Sequence, residues 1–245
     1  MLMFDGYAAQ AQDSRPLALP KFKPVCATIE APLRTNAEGP LAGNSAQQEN
    51  QESRRETQLI QKALHDCEKG HAVQLTLGTT SAHTAFLIDP ITIPSHVSLI
   101  IDGGVTVFAS RSPYKYRVEG SGYRCGRVGH DYPVFGGCKP LVTLKSHSGV
   151  YGYGVLDGQA HRGLIRKGQF VSDTWWDLLL DKKNGCKNTE VKAKEGCEQA
   201  SPPMIYSGLT AQGQLEKDLT LYKITIRNPP FHTVMLGGAG VTYGG

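Results

Sequence analysis

Asp157, Trp175 and Trp176 are side chains that could do chemistry on a polar ligand. Asp157 has the carboxyl group of a general acid. It also precedes Gly158 at the end of an apolar stretch, where an Asp commonly bonds the backbone of a turn, and we prefer this structural interpretation. The two tryptophans could stack on sugar rings. We expect them instead to pack a long loop against the core, because a Trp buries a large apolar area.

Three further candidates lie closer to the C-terminus. Asn228 is expected to join a ladder of asparagines that bond neighbouring turns of the backbone, which is a structural role. His232 could contact a ligand, but a packed or solvated histidine is the preferred interpretation. A lysine-rich loop, in which Glu190 and Glu195 are interspersed, could hold an anionic polymer, although a solvated loop is the simpler interpretation. Its lysines are Lys182, Lys183, Lys187, Lys192 and Lys194.

The six cysteines form an even set with two pairs that are close in sequence. Cys125 and Cys138 bracket one loop, and Cys186 and Cys197 bracket another, which leaves Cys26 with Cys67. We therefore predict three disulfides, Cys26–Cys67, Cys125–Cys138 and Cys186–Cys197, in a secreted or periplasmic protein. A zinc site is the rival interpretation, but no Cys-x2-Cys spacing supports it, and we predict no metal.

Composition narrows the function classes. The net charge of +4 is mild and suits an acidic polymer as partner, without excluding others. No apolar run approaches the roughly 20 residues that cross a bilayer, so we expect no membrane contact. Ala9-Gln10-Ala11 resembles a signal-peptide cleavage site, and residues 1–11 are interpreted as the remnant of such a signal.

One predicted helix separates two stretches of sequence that differ in composition. Residues 1–53 are predicted to be a lead-in and linker, rich in Pro, Gln, Asn and Glu. Residues 54–67 then place apolar side chains at helical spacing, with Asn50 or Ser53 as the N-cap. Residues 54–245 are predicted to be one domain of short strands. The strands are 72–77, 85–88, 97–101, 105–109, 141–144, 149–157, 204–206, 219–227, 233–236 and 241–243.

This rhythm of strand, short turn, strand and longer loop favours a parallel β-helix over a sandwich or a barrel. Hairpin signals are scarce, because Asp102-Gly103 is the one good case. The helix before the first coil would cover the open end of the stack. The fold class is therefore predicted to be all-β, a parallel β-helix with an N-terminal capping α-helix.

Residues 54–245 carry an ordered set of motifs that resembles the N-terminal part of glycoside hydrolase family 28, the polygalacturonases. The motifs are Ile91-Thr92-Ile93-Pro94, Gly152-Tyr153-Gly154-Val155-Leu156-Asp157-Gly158, Trp175-Trp176 and Arg227-Asn228-Pro229-Pro230-Phe231. The resemblance implies a right-handed parallel β-helix that cleaves α-1,4-galacturonosyl bonds of pectin with inversion. It implies no cofactor.

An inverting hydrolase needs a carboxylic acid and a carboxylate on either side of the scissile bond. In the family these come from an Asn-Thr-Asp element and an Asp-Asp pair, and neither occurs here. Asn188-Thr189-Glu190 is the nearest match, but it lies in the lysine-rich loop, ahead of the expected coil. We therefore expect the catalytic residues beyond Gly245. We assign no catalytic or substrate-binding residue within the chain, and we predict that the 245 residues alone are inactive.

Two other functions stay open at this point. A non-catalytic β-helix that binds acidic polysaccharide would retain pectin without cleaving it. A lyase would want calcium-binding carboxylate clusters, which the sequence does not show. The expected partner is an acidic polysaccharide such as pectin or polygalacturonate, with no nucleic acid, and the complete protein is expected to be a monomer.

Overall fold

The computed structural model describes residues 20–80, 82–120, 125–126, 128–129, 137–178, 198–199, 201–237 and 241–244. These residues form one long α-helix, α1 (Ala46–Asp66), a short 3-10 helix (Pro113–Tyr116) and twenty strands. The strands are β1 (Val25–Glu30), β2 (Leu33–Asn36), β3 (Gly39–Pro40), β4 (Ala72–Thr76), β5 (His83–Ile88), β6 (Ile91–Ile93), β7 (Ser98–Ile101), β8 (Thr106–Ala109), β9 (Val128–Gly129), β10 (Val142–Leu144), β11 (Gly149–Gly152), β12 (Val155–Asp157), β13 (Ile165–Arg166), β14 (Gln169–Phe170), β15 (Glu198–Gln199), β16 (Ile205–Ser207), β17 (Leu219–Tyr222), β18 (Thr225–Arg227), β19 (Val234–Leu236) and β20 (Val241–Gly244).

Three long sheets run along the molecule. Sheet 1 has the strand order β1-β4-β7-β11-β17-β20, sheet 2 has β3-β2-β5-β8-β12-β18, and sheet 3 has β6-β10-β16-β19. Apart from β2 and β3, every neighbouring pair in these sheets is parallel. The chain visits sheet 3, sheet 1 and sheet 2 in that order and then begins again. This is the predicted parallel β-helix.

The core is built from columns of equivalent side chains, because parallel strands stack in register and alternate side chains point inward. Val73, Leu99 and Val150 occupy matching positions on sheet 1 and are fully buried. Val142 and Ile205 do the same on sheet 3. Each coil therefore adds its own apolar layer to one continuous core.

The α-helix begins at Ala46, eight residues before the predicted start at residue 54. Ser45, not Asn50 or Ser53, is the N-cap, and its Oγ accepts a hydrogen bond of 3.2 Å from the backbone N–H of Gln48. The helix therefore includes residue 53, the predicted end of the linker. Strands β1–β3 also lie within that stretch, and β1 pairs with β4.

Helix α1 covers the open end of the coil, as predicted. Ile60 and Leu64 are fully buried against the first layer of the core. The side chain of Gln61 exchanges two hydrogen bonds with the backbone of Thr92 in β6, the edge strand of sheet 3: its Nε2 donates to the carbonyl at 2.9 Å, and its Oε1 accepts from the N–H at 2.8 Å. The helix therefore satisfies backbone groups that an exposed edge would leave unpaired.

Two of the predicted cysteine pairs are bonded in the structure. Cys26 in β1 is joined to Cys67 just after α1, with 5.7 Å between the Cα atoms. Cys125 is joined to Cys138 across one loop, with 5.0 Å between the Cα atoms. The third predicted pair, Cys186–Cys197, lies outside the described residues. Among the helices that the structure describes, none has the length and apolarity to span a bilayer.

Candidate functional site

Sheet 3 has an open outer face at each of its four strands, whereas sheets 1 and 2 are covered over part of their length. Outward side chains of sheet 1, such as Tyr151 and Tyr222, are buried, and Phe22 from the N-terminal segment packs on both rings at 6.0 and 6.2 Å. Outward side chains of sheet 2, such as Leu87 and Phe108, form a separate buried cluster under residues that include Leu33 and Ala42. The outward positions of sheet 3 have no such cover, because all of them are exposed or half-buried.

These outward positions form one row across the four strands of sheet 3. The register aligns Thr92, Thr143, Tyr206 and Met235. Since neighbouring strands lie about 4.8 Å apart, the row is about 14 Å long. It offers hydroxyl groups, one phenol and one thioether, and none of the four positions carries an Asp or a Glu. The row can therefore contact a long ligand but cannot supply an acid and base pair.

Long insertions enter sheet 3 on one side of this row. Residues 110–141 and 158–204 both connect sheet 2 to sheet 3, whereas most turns from sheet 3 to sheet 1 are only a few residues long. The second insertion carries both tryptophans in a helical segment, residues 175–178. Trp175 is fully buried and meets the ring of Tyr116 edge-on at 6.1 Å, so it packs the loop as expected.

Trp176 behaves differently from its neighbour. Successive residues of a helix point about 100° apart, so when Trp175 faces the core, Trp176 faces away from it. The indole of Trp176 is 42% exposed, its Nε1 donates to the carbonyl of Pro229 at 3.2 Å, and its ring lies 5.7 Å from that of His161. It is an aromatic surface that a ligand can reach, held in place by the Pro229 segment.

Asp157 has the structural role that the sequence analysis preferred. It lies on the outer face of sheet 2 and is 3% exposed. Its Oδ1 accepts from the backbone N–H of Gln159 at 2.8 Å and from the Asn228 amide at 3.0 Å, and its Oδ2 accepts from Arg227 Nε at 2.7 Å. The carboxylate is saturated by these partners and is not available as a general acid.

Asn228 does bond the neighbouring coil, but to an aspartate and not to another asparagine. Its backbone has a φ of 49°, in the left-handed region where Asn is better tolerated than most residues. His232 is exposed beside sheet 3, where its ring lies 4.0 Å from that of Phe231. The lysine-rich loop and Asn188-Thr189-Glu190 lie outside the described residues.

Glu216 is the buried carboxylate beside the turns that leave sheet 3. Its Oε2 accepts from the backbone N–H and the Oγ of Ser146 at 2.8 and 2.6 Å, and Lys145 Nζ lies 3.3 Å from its Oε1. Burial alone would raise the pKa of Glu216, but the hydrogen bonds from Ser146 and the charge of Lys145 outweigh it, so the pKa is lowered. This carboxylate stays ionised and holds two successive coils together.

Sequence reasoning missed the exposed row of sheet 3. Ile205 and Ser207 of β16 are buried and Tyr206 between them is not, but an inward serine hides this alternation in the sequence. What no local pattern indicates is which of the three outer faces is left open. That depends on residues 20–24 and 33–42, which come from other parts of the chain.

The fold and this face define a class: the protein is a right-handed parallel β-helix with an open outer face on sheet 3. No protein-family model matches the chain. In sequence it is 34% identical over 238 residues to an endo-polygalacturonase of Pectobacterium parmentieri, which covers 96% of this chain and 47% of that relative. It is 32% identical over 234 residues to a polygalacturonase of Ralstonia solanacearum, covering 92% and 39% of the two chains.

A solved structure gives the same result. The polygalacturonase from Erwinia carotovora ssp. carotovora superposes with a TM-score of 0.66 at 31% identity, over 95% of this chain and 50% of that one. The chain thus spans half or less of the length of these relatives. The resemblance to the polygalacturonases of glycoside hydrolase family 28, first indicated by the ordered motifs, is confirmed.

Proposed function

We propose that the protein hydrolyses α-1,4-galacturonosyl bonds of pectin, with inversion at the anomeric carbon. The observation that carries this proposal is the 34% identity to a protein named endo-polygalacturonase, which extends over 96% of the chain and not over one motif. The open face of sheet 3 supports it, because an extended polymer needs an extended surface and this row is about 14 Å long.

The proposal places the two catalytic carboxyl groups outside the 245 residues. An inverting pair stands roughly 6.5–9.5 Å apart, so that a water molecule fits beside the scissile bond. The outward row of the four described strands of sheet 3 holds no acid, and Asp157 and Glu216 are both saturated by internal partners. Asn-Thr-Asp and Asp-Asp elements in coils stacked beyond β19 and β20 would complete the site.

Within the chain, Tyr206 and Trp176 are the proposed polymer contacts. Both have aromatic faces that can stack on sugar rings. Tyr206 stands in the outward row of sheet 3, and Trp176 is presented by the insertion that enters this sheet. We assign them to binding and not to chemistry, because neither can supply the acid and base pair.

Incubation of the native polypeptide with polygalacturonate tests this function. We expect release of reducing ends, with the β-anomer seen first by NMR because inversion converts an α-linkage. Tyr206→Ala should raise KM about tenfold, on the scale of one lost aromatic contact. Tyr153→Ala is the matched control, since Tyr153 is 61% exposed in the turn between sheets 1 and 2. Retention of pectin without cleavage would instead establish the non-catalytic binding function.

We also propose an extracellular or periplasmic location and a monomeric state. The two disulfides in the described residues support an oxidising compartment. Cell fractionation would test the location, and light scattering of the purified protein would test the monomer. Recovery of the bulk protein in the cytosolic fraction with free thiols would contradict the first of these.

A further inference from the structure

An open cavity of about 910 Å³ lies at the end of the coil that α1 covers. Three elements form its walls: the first half of α1, the 3-10 helix Pro113–Tyr116, and the β13–β14 hairpin. These elements come from distant parts of the chain, and none belongs to sheet 3. The cavity is therefore a different place from the row that the proposed function uses.

The cavity is strongly basic. Among the described residues that line it, five are cationic and none is an Asp or a Glu. The cations are Arg54, Lys115, Arg117, Arg166 and Lys167. Lys115 is paired, because its Nζ lies 2.7 Å from the carboxylate of Asp89. No ion pair to a described residue neutralises the other four. Positive charge of this density, within reach of solvent, favours an anionic ligand.

The hairpin turn explains why Lys167 lies at the rim. Lys167 and Gly168 have φ values of 50° and 75°, and two successive left-handed residues make the tight turn that suits a two-residue hairpin. The turn places Lys167 at the tip, beside Arg166 of β13. Arg166 itself is held by a hydrogen bond of 2.8 Å from its Nη2 to the carbonyl of Gly126.

Two polar atoms in the cavity wall have no hydrogen-bond partner in the part of the chain that the structure describes. They are Arg166 Nε, a donor, and Asn50 Oδ1, an acceptor, and both are buried. A buried polar group left without a hydrogen bond destabilises the fold. A ligand that offers both an acceptor and a donor would offset this destabilisation after a small side-chain rotation. Carboxylates and hydroxyls on one molecule meet that requirement.

An aromatic ring stands at the mouth. Tyr114 is 72% exposed, an unusually open position for a large side chain, and the guanidinium of Arg117 lies 5.7 Å from its ring centroid. The face of such a ring suits the apolar face of a sugar. The adjacent guanidinium can accept a carboxylate through two parallel N–H groups.

We propose that this cavity binds a carboxylate-bearing saccharide, as a second site away from sheet 3. The choice of a uronic acid oligomer as ligand rests on the proposed function, since the same polymer would supply it. Arg54, Arg117 and Lys167 hold the carboxylates, Tyr114 stacks on a ring, and Asn50 meets the hydroxyl groups. The site anchors polymer and takes no part in the bond cleavage.

Calorimetric titration of the native polypeptide with trigalacturonate tests the site. The double variant Arg54→Gln with Lys167→Gln should lose about tenfold in affinity at the binding event that is separate from sheet 3, because two charge-assisted contacts are removed from exposed positions. The double variant Arg34→Gln with Lys69→Gln changes the net charge equally on exposed side chains outside the cavity. It should bind within twofold of the wild type.

Equal losses in both double variants would mean general charge attraction and would overturn the proposal. So would unchanged binding in the cavity variant, or equal binding of neutral maltotriose. Tyr114→Ala gives an independent readout, because it removes the stacking surface without a charge and should also weaken binding. This test can be separated from the test of the proposed function. If the cavity variants lose binding but the native polypeptide does not hydrolyse polygalacturonate, the second binding site stands and the proposed enzyme activity is rejected.

Discussion

Glu56 makes the stability of the fold depend on pH in a direction opposite to that of most surface carboxylates. This side chain of α1 is 3% exposed, and its Oε2 has no hydrogen-bond partner among the described residues. Burial is the largest cause of its shift, the charge of Glu52 adds to it, and Arg55 opposes it. Together they raise the pKa of Glu56 to about 7, from an ordinary 4.5.

The sign follows from proton binding. Between pH 4.5 and 7 the folded state keeps the Glu56 proton, whereas the unfolded state releases it, so folded protein binds more protons. The free energy of unfolding therefore falls as pH rises through this window. The stabilising effect of the neutral form is complete below pH 4.5 and lost above pH 7. At 1.36 kcal/mol per unit of pKa, the loss amounts to about 3 kcal/mol.

Denaturant unfolding of the wild type and Glu56→Gln across pH 4.5 to 8.5 measures this effect. The two should have nearly equal free energies of unfolding at pH 4.5, because both side chains are then neutral in the folded state. At pH 8.5 the variant should be more stable by up to about 3 kcal/mol. Glu52→Gln should give part of the same stabilisation at pH 8.5, since it removes the negative charge that adds to the pKa shift of Glu56. A difference between wild type and Glu56→Gln that does not change with pH would refute this reasoning.

Three further predictions concern other parts of the coil. Asp157→Asn should lower the free energy of unfolding by about 2 kcal/mol, on the scale of charged hydrogen bonds. In the native polypeptide, the proposed hydrolysis of polygalacturonate should keep its kcat within twofold, and loss of this activity in a folded variant would make Asp157 catalytic. Gln61→Ala should lower the free energy of unfolding by about 1 kcal/mol and increase aggregation, because it uncovers the edge of β6. Light scattering measures the aggregation, and unchanged solubility would contradict the role of Gln61 in protecting this edge. Replacing Cys26 and Cys67 with Ser should lower the free energy of unfolding by about 3–4 kcal/mol. An unchanged melting temperature would show that this disulfide does not constrain the unfolded chain.

The coil could be predicted from sequence because its rule is local. Each strand alternates one inward apolar residue with one outward residue, and short turns leave few other ways to stack such strands. The inward column of Val73, Leu99 and Val150 follows directly from this alternation. The capping role of α1 was also within reach, since Ile60 and Leu64 mark its apolar face.

The start of α1 could not be found from apolar spacing. Its first two turns bury Glu49 and Ser53 where a pattern search expects apolar residues. Glu49 is tolerated there because Arg111, 62 residues away, pairs with it through two nitrogens, at 2.9 Å in the longer contact. The residues around Glu49 in sequence do not indicate an ion pair with so distant a partner. The one local signal was Ser45 followed by Gln48, a capping-box spacing.

The open face of sheet 3 illustrates a second limit. All three sheets follow the same alternation of inward and outward side chains. The sequence therefore does not distinguish one outer face from another. Phe22 packs on the outward tyrosines of sheet 1, and Leu33 belongs to the buried cluster on the outer face of sheet 2, whereas the outward row of sheet 3 is exposed or half-buried. The candidate site is therefore defined by what covers the other two faces. A change that removed Phe22 would expose Tyr151 and Tyr222 as an aromatic surface on sheet 1.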